Sequence, residues 1–84
     1  MNLQKGQLVK AMAGGEKGQY FAVLSCDGGY ALLIDGKRRK SSNPKRKSIK
    51  HLQPTNTLLC EEDLTDNKLR KALNRISKEP AVTN

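Results

Sequence analysis

Lysine and arginine are the residues whose type and spacing in this chain suggest chemistry. In the stretch DGKRRKSSNPKRKSIKHL, Asp35 to Leu52, eight of the fourteen residues between Lys37 and Lys50 are basic and none is acidic. On either side the charges cancel. Residues 1–36 set Lys5, Lys10 and Lys17 against Glu16, Asp27 and Asp35. Residues 51–84 set Lys68, Arg70, Lys71, Arg75 and Lys78 against Glu61, Glu62, Asp63, Asp66 and Glu79. The net charge of +8 therefore lies wholly within the run. Like charges repel and must stay solvated, so folding alone does not call for such a cluster. A concentrated positive field attracts polyanions, nucleic acid first and an anionic membrane surface second. The plain alternative is a solubilising or nuclear-localisation-like string. Against it, Ser41-Ser42-Asn43-Pro44 divides the run as a turn would, and Ile49 and Leu52 tie its far end to the apolar pattern. The run reads as a cationic hairpin whose Lys and Arg neutralise phosphates, with Arg also forking and stacking onto them. Its members are Lys37, Arg38, Arg39, Lys40, Lys45, Arg46, Lys47 and Lys50.

Other candidates carry less. The loop GGEKG can present backbone amides to phosphate, but the Lys-Ser/Thr pair of a nucleotide-binding P-loop is missing and no helix pattern follows. It reads as a hairpin loop, with Lys17 as a contact to an RNA backbone. His51 is the only histidine. With no Cys or His at ligand spacing it suggests no metal, and without an oriented partner it suggests no catalysis. It suits the end of a strand, or one more contact to a phosphate or base. Cys26 and Cys60 form no CxxC pair, and a disulfide between them is the lesser reading. No secretory leader or membrane-spanning run is visible, so the expectation is a reduced, cytoplasmic protein that needs no cofactor and is not an enzyme.

The elements that would hold these side chains follow from the punctuation. Between Lys5 and Thr55 the chain is cut by glycines into short strands: QLVKAMA, YFAVLS, YALLI, a polar KRRKS, and a last KSIKHLQ stopped by Pro54. CDGG and Asp35-Gly36 are turn signals. The expected fold is mainly β, a small antiparallel barrel at 1–56. FAV and ALLI are apolar on both faces, as in a barrel whose outside is partly covered. An acidic linker is expected at 57–65. Leu69, Ala72, Leu73 and Ile76 then recur at helical spacing, and Thr65 or Asp66 can cap the start. This predicts a C-terminal helix over 66–78, packed on the barrel away from the basic hairpin, and a flexible tail at 79–84. Truncation after Asn56 is then expected to spare most RNA affinity.

These features together resemble a known family. KGQLVKAMAGGEKGQYFAVL is similar to a KOW motif, with Lys5-Gly6, the apolar Val9, Gly14, and Lys17-Gly18 leading into an apolar strand. Gly18 falls where that motif has its signature glycine. The continuation resembles the ribosomal protein L-fourteen-e family and its bacterial KOW-containing relatives, through Asp35-Gly36, an Arg two or three residues on, Pro44-Lys45, a further lysine, and Lys50-His51-Leu52. The resemblance covers about residues 5–55. It implies an SH3-like barrel that binds ribosomal or other structured RNA and is associated with translation and the ribosome. The implied contacts are Lys17, Arg38, Arg39, Lys40, Lys45, Arg46, Lys47 and Lys50. The resemblance departs at the C-terminal side, where one short helix is expected in place of the family's longer helical extension. The rival expectation is a protein-binding adaptor module in a transcription or translation complex, using the barrel and the stripe of the C-terminal helix.

Overall fold

A computed structural model describes residues 3–78 of the chain. It contains strands β1 (Gln7–Ala11), β2 (Tyr20–Asp27), β3 (Tyr30–Ile34), β4 (Lys45–Ser48) and β5 (Leu52–Leu58), followed by helix α1 (Asp66–Lys78). All pairings are antiparallel, and the five-stranded sheet has the order β4-β3-β2-β1-β5. β4 and β5 are thus the two outer strands, yet only one turn of 3-10 helix, Ile49–His51, separates them in the chain. At about 2 Å per residue such a turn spans roughly 8 Å. The outer strands must meet at that corner, so the sheet rolls into a barrel-like form. The Met12 N–H donates to the His51 carbonyl and the Ile49 N–H to the Gly29 carbonyl, which fixes the corner to both sides of the sheet.

The alternation of the strands divides the apolar residues between two cores. Val9, Ala11, Phe21, Val23, Ala31, Leu33 and Leu52 fill the inside of the roll, with Leu3 and Ile49 against them. Leu8, Ala22 and Ile34 point outward and are covered by Leu69 and Leu73 of α1, with Tyr20, Leu24, Leu59, Leu64 and Ile76 around them. This is why FAV and ALLI are apolar on both sides of the pleat. Leu69 is fully buried and Leu73 nearly so. Each buried aliphatic side chain contributes about 1.5–3 kcal/mol, so α1 gains from the sheet what a helix of its length lacks alone.

Several boundaries differ from the sequence-based expectation. KRRK forms no strand. The Asp35 carboxylate accepts the backbone N–H groups of Lys37 and Arg39, at 2.8 and 2.9 Å, and rounds residues 35–39 into a loop. The Asp35 and Gly36 N–H groups donate in return to the Arg39 carbonyl. Local side-chain bonding of this kind competes with a sheet ladder and here prevails. The polar strand is instead KRKS, Lys45–Ser48. KSIKHLQ is likewise not one strand, since its middle is the corner turn. Pro54 does not end β5, which continues to Leu58. It pairs with Val9 beside an irregularity in register, on an outer strand where the missing N–H is tolerated. The stretch 57–65 is more structured than a linker. The Leu59 N–H donates to Gly6, residues Glu61–Asp63 form a 3-10 turn, and Lys5 bonds Glu61 at 2.7 Å. The tail expected at 79–84 lies outside the described residues.

Candidate nucleic-acid interface

Three elements display the basic run, and they treat its members differently. The β3–β4 loop presents Lys37, Arg38 and Lys40 to solvent, while Arg39 is half-buried. Its base is fixed by Gly36, a buried residue with a φ of +77°. A Cβ there would lie 2.5 Å from the Asp66 carbonyl oxygen and 3.0 Å from Arg70 Cγ. Only glycine lets the loop approach the first turn of α1 this closely. The loop and the helix therefore meet, which corrects the expectation that α1 lies away from the basic segment. An open cleft between them is lined by Lys37, Arg38 and Lys40 on one side and by Thr65, Asp66, Asn67 and Arg70 on the other.

β4 splits its cations by face. Lys45 and Lys47 stand opposite Leu33 and Ala31, which face the inner core. They turn toward Glu16 in the β1–β2 loop. Lys47 Nζ is 3.1 Å from Glu16 Oε1, and Lys45 Nζ is 3.9 Å from Oε2. The Lys47 side chain is only 10% exposed. The hydrogen bond from Lys47, with the charges of Lys47, Lys45 and Arg39, holds the Glu16 carboxyl below the usual carboxylate range despite the opposing effect of burial. Lys45 and Lys47, expected as phosphate contacts, are thus wholly or partly engaged by an acid of their own chain. Sequence reading missed Glu16 because its partners lie some thirty residues away, across the sheet. Arg46 emerges on the opposite face. Its guanidinium carbon lies 3.9 Å from the ring centroid of Tyr30, itself 41% exposed. This cation–π contact keeps an exposed Arg in place.

The remaining candidates lie on the β1–β2 loop and the corner turn. Lys17 is exposed in the β1–β2 loop, where its N–H donates to Gly14. Lys50 and His51 are exposed on the corner turn between β4 and β5. Among the described residues, Lys37, Arg38, Arg39, Lys40, Arg46 and Lys50 form no ion pair. Cys26 and Cys60 are exposed and unbonded to each other. Among the described residues no group of three His, Cys, Asp or Glu side chains gathers to hold a metal, and no helix is long and apolar enough to cross a membrane.

The helix supplies basic residues that the sequence did not single out. Arg70 and Lys71 line one cleft with Lys37, and Arg70 Nη2 bonds the Asn67 side chain. The charge balance of the C-terminal segment hid them. A usable signal was their place on the flank of the apolar stripe. No protein-family description and no curated protein matches this sequence.

Proposed function

We propose that the protein is a non-catalytic RNA-binding protein that takes structured RNA through the β3–β4 loop and the outer face of β4. One observation carries this reading. The cations that hold the chain's whole net charge are concentrated on this loop, strand and corner turn, and six of the eight form no ion pair among the described residues. Such cations have given up little of their attraction for phosphate, and each phosphate they neutralise releases a counterion. Aromatic residues are few, Tyr20, Phe21 and Tyr30, and Phe21 is buried. Phosphate contacts and RNA shape therefore dominate over stacking along a single strand. The resemblance to KOW and L-fourteen-e proteins, and the rolled five-stranded sheet, support an SH3-like identity and an association with ribosomal RNA and translation in the cytoplasm. The adaptor reading is weaker, since Leu69 and Leu73 are spent on the protein's own sheet.

Crosslinking in cells, followed by sequencing of the attached RNA, tests this proposal. Wild type is expected to recover ribosomal or other structured RNA. The variant with Lys37, Arg38, Lys40 and Arg46 changed to Ser is expected to recover little. Equal recovery by both proteins, or none by wild type, would overturn it.

A further inference from the structure

A second cleft, of about 480 Å³, runs between α1 and the rim of the sheet. Its size falls in the range of small-ligand sites. The residues around it are not those of a bare electrostatic surface. Tyr20 contributes a half-buried aromatic ring, Gln19 and Asn74 contribute carboxamides, and Lys37, Arg70 and Lys71 contribute three cations. Asp35 is the one acid in the lining, and its Oδ1 already accepts two backbone N–H groups. Lys10 Nζ lies over the Tyr20 ring, 5.7 Å from its centroid, so a base that uses this face meets or displaces a cation. Lys37 and Arg70 line both this cleft and the open cleft along the β3–β4 loop. A basic path thus leads out of the cleft and onto the surface described above.

Resting on the RNA-binding reading, we propose that this cleft receives one unpaired nucleotide of the bound RNA. An aromatic ring beside carboxamides is suited to an unstacked base, which offers a π-face and an edge of donors and acceptors. The flanking cations suit the phosphates on either side of it. The path through Lys37 and Arg70 favours a nucleotide within a chain over a free one, because the neighbouring phosphates continue along the loop. The helix thereby becomes part of the binding surface, and the protein prefers a helix interrupted by a bulge to an unbroken one.

The test uses the full-length protein with two RNA hairpins that differ only by a single bulged nucleotide. Wild type is expected to bind the bulged hairpin about fivefold or more tightly than the unbroken one. Tyr20→Leu, which keeps an apolar side chain in the outer core, and Asn74→Ala on the exposed helix flank should each reduce that preference at least severalfold. Affinity for the unbroken hairpin should stay within about twofold, with melting temperatures recorded for both variants. A titration with uridine and adenosine monophosphates against ribose 5-phosphate, followed by amide chemical shifts, supplies an independent reading. The nucleotides should shift Gly18, Gln19, Tyr20 and Asn74, and ribose 5-phosphate should leave Tyr20 and Asn74 unmoved. Strong binding of both hairpins with no bulge preference would overturn the cleft proposal and leave the RNA-binding reading standing. Binding of neither hairpin would overturn the RNA reading. The nucleotide titration would then decide whether the cleft takes a base at all.

Discussion

Glu16 is the residue that sets how much of the basic run faces outward. By bonding Lys47 and drawing in Lys45 it ties the β1–β2 loop to β4, withdrawing the first from solvent and partly engaging the second. Glu16→Gln is expected to free them, tightening RNA binding severalfold and steepening the dependence of log K on log salt by about one unit per cation released. The partly exposed pair contributes less than about 1 kcal/mol. Because the folded Glu16 carboxyl sits below its ordinary value of 4.5, its contribution is present above that value and is lost as pH falls through the lowered one. Acid unfolding of the variant should accordingly lack this component, which a pair of pH titrations followed by circular dichroism would measure. Two glycines make a second contrast at this scale. Gly36→Ala places a Cβ against the Asp66 carbonyl at a φ of +77°. Gly18→Val has a φ of +90° but nothing within 4 Å of the added Cβ. Gly18→Val should cost about 1–3 kcal/mol from backbone strain. Gly36→Ala should cost at least as much and also weaken RNA binding by displacing the loop. Melting curves beside binding isotherms separate the two effects.

At the scale of elements, the short strands, the C-terminal helix and its apolar stripe were legible because period and punctuation are local. Leu69, Leu73 and Ile76 announce a helix in any context, and the apolar faces of FAV and ALLI require a cover. The strand expected at KRRK was not legible as a loop, since the Asp35 side chain's two backbone hydrogen bonds outweigh what the residue types suggest. Pro54 misled for a similar reason: it ends a central strand but not an outer one. The partition of the basic run was illegible altogether, because Lys47 meets Glu16 only once the sheet has rolled. The docking of α1 yields its own prediction. Leu69→Ala should lower stability by about 2–5 kcal/mol, readable by denaturant unfolding. Truncation after Asn56 should do more than lower stability. It removes Asp66 and Arg70, against which Gly36 and the basic loop are seated, so affinity for RNA should fall severalfold. Unchanged affinity in a folded truncation would mean that the loop keeps its position without the helix.

For the whole molecule, a rolled sheet and one covering helix support a basic loop, strand and corner turn. Both cores are built from apolar side chains, and Lys37, Arg38, Lys40 and Arg46 are exposed and form no ion pair among the described residues. Binding and stability should therefore be separable. The most direct measurement is the slope of log K against log salt for a structured RNA hairpin, taken for wild type and for the variant with Lys37, Arg38, Lys40 and Arg46 changed to Ser. With about four to six phosphates neutralised, wild type should give a slope of about −3 to −5. The variant should give a slope nearer −1 while melting within a few degrees of wild type. Equal slopes for two equally folded proteins would contradict the assignment and place the polyanion surface elsewhere.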